Sequence, residues 1–194
     1  MKIINKALEV LKNGGIILYP TDTIWGIGCD ATNEKAVKRI YQIKERNESK
    51  ALITLVGNYN QLLNYTNIKS KEAKNSSPTT IIYPKVKGLA KNLLAYDKSA
   101  AIRIVQNEFC KKLILKFNNA IVSTSANISG EEFPKRFSDI KPKILNNVDY
   151  VINLESDSLL HEPSKILKVN LIGEVTEIIR WIIILNFSTK KYLI

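Results

Sequence analysis

The chain has 194 residues, enough for one domain with a real hydrophobic core, and its 45% hydrophobic and 24% charged residues are an ordinary globular composition rather than a disordered one. Two cysteines, Cys29 and Cys110, lack CxxC spacing and so argue against a disulfide framework or zinc knuckle, while a single histidine, His161, leaves one possible base for Ser-His-Asp or Cys-His chemistry. The net charge of +11, from 29 basic against 18 acidic residues, points to an anionic partner such as a nucleotide or nucleic acid, although many of the lysines are scattered singly.

In chain order, Ile4, Ala7, Leu8 and Leu11 fall at helical spacing, and Gly14-Gly15 closes that helix. The helix is charged and has neither an apolar signal core nor a small-residue cleavage site, so the expected location is cytoplasmic. Residues 16–19 form a short apolar strand stopped by Pro20. Gly26, Gly28 and Ala31 imitate a dinucleotide fingerprint, but the strand that follows carries no acidic residue at its end. These glycines are therefore expected to allow a tight passage beneath the sheet edge. Thr32 is the expected cap of a second helix, with Glu34 in its first turn and the apolar stripe Ala36, Val37, Ile40 and Ile43. That helix runs into the basic cluster Lys44, Arg46 and Lys50.

Residues 51–56 predict a strand that turns at Gly57-Asn58, and residues 58–78 are polar and helix-leaning. Strands are predicted over 79–83, 100–105 and 120–125, with a helix over 107–117 between the last two. A proline-containing loop and a short helical stretch over 137–145 follow Gly130, then late strands over 150–154, 165–170 and 175–184. The most apolar run, residues 178–187, is broken by Arg180 and falls short of the ~18 residues a membrane helix requires. Helices and strands interleave without strict alternation, which predicts an α/β domain over residues 1–183 with a twisted, mostly open mixed sheet flanked by helices, and a tail over 184–194.

Three segments carry candidate chemistry. Pro20-Thr21-Asp22-Thr23 sits at the carboxyl end of a strand, where open sheets present ligand-binding loops, although alone it reads equally as a self-satisfied turn. Lys44-x-Arg46-x-x-x-Lys50 places cations at a helix end, favourable for the helix dipole and also suited to cradling phosphate. Ser123-Thr124-Ser125-Ala126-Asn127-Ile128-Ser129-Gly130 packs four hydroxyls and an amide after a strand, more polar equipment than a turn requires. There is no GxxxxGK[ST] element, which excludes a Walker-type site.

Together, "LYPTDTIWGIGCDA", "IKERNESKAL" and "STSANISG" resemble the YrdC-like threonylcarbamoyl-AMP synthases, in the right order and over residues 14–180. The resemblance implies formation of threonylcarbamoyl-AMP and pyrophosphate from ATP, L-threonine and bicarbonate or CO2, with Mg2+ carried on the ATP phosphates. It implies an L-threonine site from Thr23, Ser99, Arg103, Ser123 and Ser164, and an ATP site from Arg46, Lys50, Ser125, Asn127 and Arg180. Lys44, Arg46 and Lys50 would be the catalytic cations. Trp25 stands where the family usually has a tyrosine, and "NSSPTT" replaces a PGP-type turn. The implied partners are the substrates, tRNA or double-stranded RNA at a basic face, and downstream threonylcarbamoyl-transfer proteins, with no membrane. Two competing readings are a non-enzymatic RNA-binding protein and a carbamoyl-adenylating domain.

Overall fold

The computed structural model describes residues 2–48, 51–152 and 163–180. Its order is α1 (Lys2–Lys12), β1 (Ile17–Pro20), β2 (Trp25–Gly28), α2 (Glu34–Ile43), β3 (Ile53–Val56), α3 (Tyr59–Leu62), β4 (Thr79–Tyr83), β5 (Ala100–Ile104), α4 (Glu108–Phe117), β6 (Ile121–Ser125), α5 (Pro142–Leu145), β7 (Tyr150–Val151), β8 (Lys165–Val169) and β9 (Val175–Arg180). Short 3-10 turns cover Lys71–Lys74, Lys91–Leu93 and Phe137–Asp139. The nine strands form one mixed sheet in the order β7-β1-β2-β6-β3-β5-β4-β8-β9. No described helix is long and apolar enough to cross a membrane.

Most predicted elements are present, and three local readings change. The cap of α2 is Asn33 rather than Thr32: Asn33 Oδ1 accepts from the amides of Lys35 and Ala36, while the Thr32 hydroxyl donates to Asp30 Oδ1 at 2.8 Å. The region 58–78 holds only the single turn α3 and one 3-10 turn, although Leu62, Tyr65 and Ile68 are buried in the larger core. Gly26 and Gly28 do not pass beneath the sheet edge. They lie on β2, inside the sheet, between antiparallel β1 and β6. The predicted strand over 175–184 is seen to Arg180, and the part of it beyond, with the tail over 184–194 and His161, lies outside the described residues.

Cross-strand register divides the sheet into two chemically different faces, because paired positions project to the same side. On one face, Leu18, Ile27, Val56, Ile81, Ile102 and Val122 pack with Val37 and Ile40 of α2 in the larger core. The other face is split. Ile17, Tyr19, Leu55 and Ile121 are covered by Ala7 and Leu11 of α1 and by Cys110, Leu113 and Ile114 of α4. Further across that same face the pairs Ile53–Ser123, Leu55–Arg103 and Arg103–Thr80 carry polar side chains beyond the reach of these helices. The functional surface thus begins where helix cover ends.

Gly28 shows why β2 is glycine-rich. A β-carbon there would collide with the Val122 carbonyl oxygen and come within 2.9 Å of the Tyr19 ring, so backbone and aromatic ring occupy the space a side chain would need. Gly28→Ala is expected to destabilise the fold by about 1–3 kcal/mol, read as a lower midpoint in urea unfolding with little change in slope. An unchanged midpoint would contradict this packing.

Candidate active site

The site forms from the carboxyl end of β1, the middle of β5, the end of β6 and the residues that precede β8. Its walls include Thr21, Thr23, Arg103, Ser123, Ser125 and Ser164, with Gly26 beside them. Four threonine-site residues expected from sequence, Thr23, Arg103, Ser123 and Ser164, therefore meet Ser125 in one hollow. Ser99 does not line it: this buried residue sits in the turn before β5, its amide donating to Asp97 Oδ1 at 3.0 Å.

Arg103 is the only charged side chain among the described residues that line the hollow. It is 3% exposed. Its Nη1 donates to Thr23 Oγ1 at 3.1 Å, and Nη2 lies 3.0 Å from Asp22 Oδ1 in a buried ion pair. Its Nε–H has no hydrogen-bond partner among the described residues. Of the groups on this guanidinium, the buried Nε–H is the one left without a partner among the described residues.

The threonines continue that network. Thr21 Oγ1 donates to the Ile24 carbonyl at 2.8 Å and accepts from the amides of Thr23 and Ile24. Thr21 Oγ1 also lies 3.0 Å from Thr23 Oγ1, which accepts from Arg103, so the two hydroxyls and the guanidinium form one connected chain. Opposite, Ser164 Oγ lies 2.8 Å from Thr80 Oγ1, both buried. The sequence marks Thr21 and Asp22 within the Pro20-Thr21-Asp22-Thr23 segment but gives a site role only to Thr23, and it does not mark Thr80. The hydroxyl–acid–hydroxyl alternation of the Thr21-Asp22-Thr23 segment was the available signal for the first two, whereas Thr80 reads as an ordinary strand threonine.

Gly26 keeps the floor open: a β-carbon there would stand 3.0 Å from Ser123 Oγ. Beneath Ser123 lies the fully buried Tyr19, whose phenol burial shifts strongly upward and so keeps it protonated.

The basic cluster separates. Lys44 is 1% exposed and does not line the hollow; its ammonium donates to the carbonyls of Ser125 at 2.5 Å and Asn127 at 2.7 Å and to Asn127 Oδ1 at 3.2 Å. Its own carbonyl accepts from the Ser129 amide at 2.8 Å. One residue thus ties the loop after β6 at three positions and sets the Ser125 hydroxyl on the wall. Asn127 turns its amide to the Glu131 carbonyl at 2.6 Å. Arg46 is partly exposed and donates from Nη2 to the Ala51 carbonyl at 3.0 Å, beyond the hollow's lining. Lys50 lies outside the described residues, and Arg180 is placed by its backbone, opposite Ile166 on β8.

Burial, with a smaller push from Arg46, pulls the Lys44 ammonium down to about 7 from an ordinary value of 10.5. Its folded pKa lies below its unfolded one, so the cost of the buried charge is present in full below about pH 7 and is relieved as pH rises towards 10.5. Wild-type stability relative to Lys44→Met is therefore expected to rise between pH 7 and 10. Denaturant midpoints across that range test this, and a difference flat with pH would contradict the assignment.

The Sua5/YciO/YrdC family, described as telomere recombination, matches residues 9–181. A threonylcarbamoyl-AMP synthase of Pseudoalteromonas translucida (strain TAC 125) is 33% identical over 155 residues, covering 76% of this chain and 83% of the relative. A putative threonylcarbamoyl-AMP synthase of Methanocaldococcus jannaschii is 35% identical over 173 residues, covering 84% and 81%. Among solved structures, P. abyssi Sua5 complexed with L-threonine superposes with a TM-score of 0.75 at 26% identity, over 86% of this chain and 50% of that one. This chain therefore spans about half the length of that protein. E. coli YciO gives the same TM-score at 24% identity over 90% of each chain, a likeness of fold. With a family match that takes in almost every element of the sheet and each wall of the hollow, the chain belongs to the Sua5/YciO/YrdC family.

Proposed function

We propose that this enzyme is an L-threonylcarbamoyladenylate synthase, a nucleotidyltransferase that makes threonylcarbamoyl-AMP and pyrophosphate from ATP, L-threonine and bicarbonate or CO2. The observation that carries the reading is the buried Arg103, its Nε–H unpartnered among the described residues, lining one hollow with Thr23, Ser123 and Ser164. Relatives named for this reaction match most of the chain, and a structural neighbour binds L-threonine.

In this reading the threonine carboxylate docks on Arg103, with Thr23, Ser123 and Ser164 around its hydroxyl and amine. Ser99 supports the strand that carries Arg103. The neutral amine attacks CO2, forming a C–N bond and releasing a proton, and the resulting carbamate oxygen attacks the α-phosphate of ATP. The bond to the bridging oxygen breaks and pyrophosphate leaves. Such in-line displacement needs positioning and charge neutralisation rather than a protein nucleophile, in keeping with a hollow lined by hydroxyls and one arginine.

ATP would lie beside Ser125 and Asn127, on the loop that Lys44 holds, with Arg46, Lys50 and Arg180 on its phosphates. Lys44 then contributes to catalysis by shaping that loop. The donor chemistry suits Mg2+ carried by the nucleotide: hydroxyls and carbonyls supply no compensating charge near Ser125, so an ion there would draw its charge balance from phosphate oxygens. Bound in that way, it would neutralise phosphate charge.

The excess of basic residues suits the approach of tRNA, the final acceptor for the t6A modification, or of a downstream transfer protein carrying it. A cytoplasmic location is in keeping with these substrates.

The test is pyrophosphate release from ATP with threonine and bicarbonate each omitted in turn: release is expected only when both are present. Arg46→Ala is expected to lower turnover roughly 30- to 1000-fold, about 2 to 4 kcal/mol of barrier, with unfolding unchanged. Wild-type release without threonine would overturn the substrate assignment, and undiminished release from the variant would overturn the role of Arg46.

A further inference from the structure

We propose that Asp22 is a positioning and selectivity residue: it neutralises and aims Arg103 so that the hollow accepts a zwitterionic amino acid and rejects phosphate-like polyanions. The proposal rests on the threonine-binding reading above and names a residue which that reading does not use.

The geometry is specific. Asp22 and Arg103 are 7% and 4% exposed at their side chains, with Oδ1 and Nη2 3.0 Å apart. The other carboxylate oxygen accepts from the Gln106 amide at 3.2 Å, at the carboxyl end of β5. Asp22 is thus anchored to the strand that bears Arg103, two residues beyond the last residue of β5, while its own loop supplies Thr23. The Gln106 side chain in turn donates to the Asn75 carbonyl at 2.9 Å, which fixes that anchor from a third segment.

Asp22 stands behind the guanidinium and is not among the residues lining the hollow. It occupies the Nη2 side, Thr23 takes Nη1, and Nε–H remains the unpartnered donor. An isolated buried guanidinium would hold any small anion strongly, because the interior screens charge poorly. With Asp22 adjacent, the pair carries no net charge, and no other charged side chain lines the hollow among the described residues. Donor geometry then remains available for a carboxylate, while the field that would draw in phosphate or a nucleotide tail is largely cancelled. This matters for an enzyme that must hold a millimolar-class polyanion and a small amino acid in neighbouring sites without exchanging them.

Asp22→Asn preserves shape and an acceptor for the Gln106 amide while removing the charge. The experiment measures steady-state pyrophosphate release and, by calorimetry, equilibrium binding of L-threonine and of inorganic phosphate. The variant is expected to bind inorganic phosphate at least tenfold more tightly than the wild type and to acquire phosphate inhibition that is competitive with threonine, so that the preference for threonine over phosphate falls. Asp22→Glu should recover the discrimination against phosphate in part. Phosphate affinity and inhibition unchanged from the wild type would overturn the proposal.

Should Asp22→Asn prove too unstable to assay, the Arg103→Met background keeps the question open to measurement. There Asp22→Asn is expected to leave phosphate affinity unchanged, since Asp22 acts through Arg103; a gain of similar size in that background would overturn that route. A wild-type protein that binds no threonine would instead overturn the functional reading, so the two failures are distinguishable.

Discussion

A guanidinium buried to 3% exposure must be surrounded by acceptors or counter-charge, since water cannot reach it. Arg103 meets that requirement with one hydroxyl and one carboxylate delivered by a single loop, the one that follows β1. The demand of one cation thus fixes the shape of the loop holding Thr21, Asp22 and Thr23, and through it the shape of the hollow. Because the compensation is incomplete at Nε, the same residue that organises the site also retains capacity to bind.

Lys44 provides the second organising charge, and it acts on a different wall. Its ammonium gathers carbonyl oxygens that would otherwise face outward from an irregular loop, and a loop with so many polar groups needs such a partner to hold one conformation. Arg103 sets the wall that carries Thr23, whereas Lys44 sets the loop that carries Ser125 and Asn127. The two meet at the end of β6, where Ser123 and Ser125 share the face opposite the α2 core.

The split face of the sheet explains how these walls are kept rigid. Under α1 and α4 the face is apolar and densely packed around Tyr19, Leu55 and Ile121. Directly beside Leu55, β5 carries Arg103, and two residues beyond Ile121, β6 carries Ser123. Functional side chains therefore stand on strands whose neighbouring residues are locked in a core, which suits a reaction driven by positioning.

Much of this was legible in the order of residues. Apolar periodicity placed α1, α2, α4 and the strands β3 to β6. Hydroxyl-rich segments at strand ends marked Thr23, Ser123 and Ser125, whereas Ser164 was marked only by the family resemblance. Local pattern failed where a residue's role depends on what it meets from far along the chain. Nothing within a few positions of Lys44 shows that its charge is spent on a loop eighty residues later, and a KxR spacing looks the same whether it faces phosphate or backbone. Gly26 and Gly28 read as a tight passage beneath the sheet edge because the neighbouring strands that demand their smallness come from elsewhere in the sequence. Asp22 likewise looks like a turn former until β5 brings Arg103 against it. Sequence determined which segments are strands, helices and polar loop tips, since those follow from short-range periodicity and side-chain chemistry; which charges neutralise one another and which remain for a ligand was decided only by tertiary packing, because Coulombic partners are chosen by distance in space.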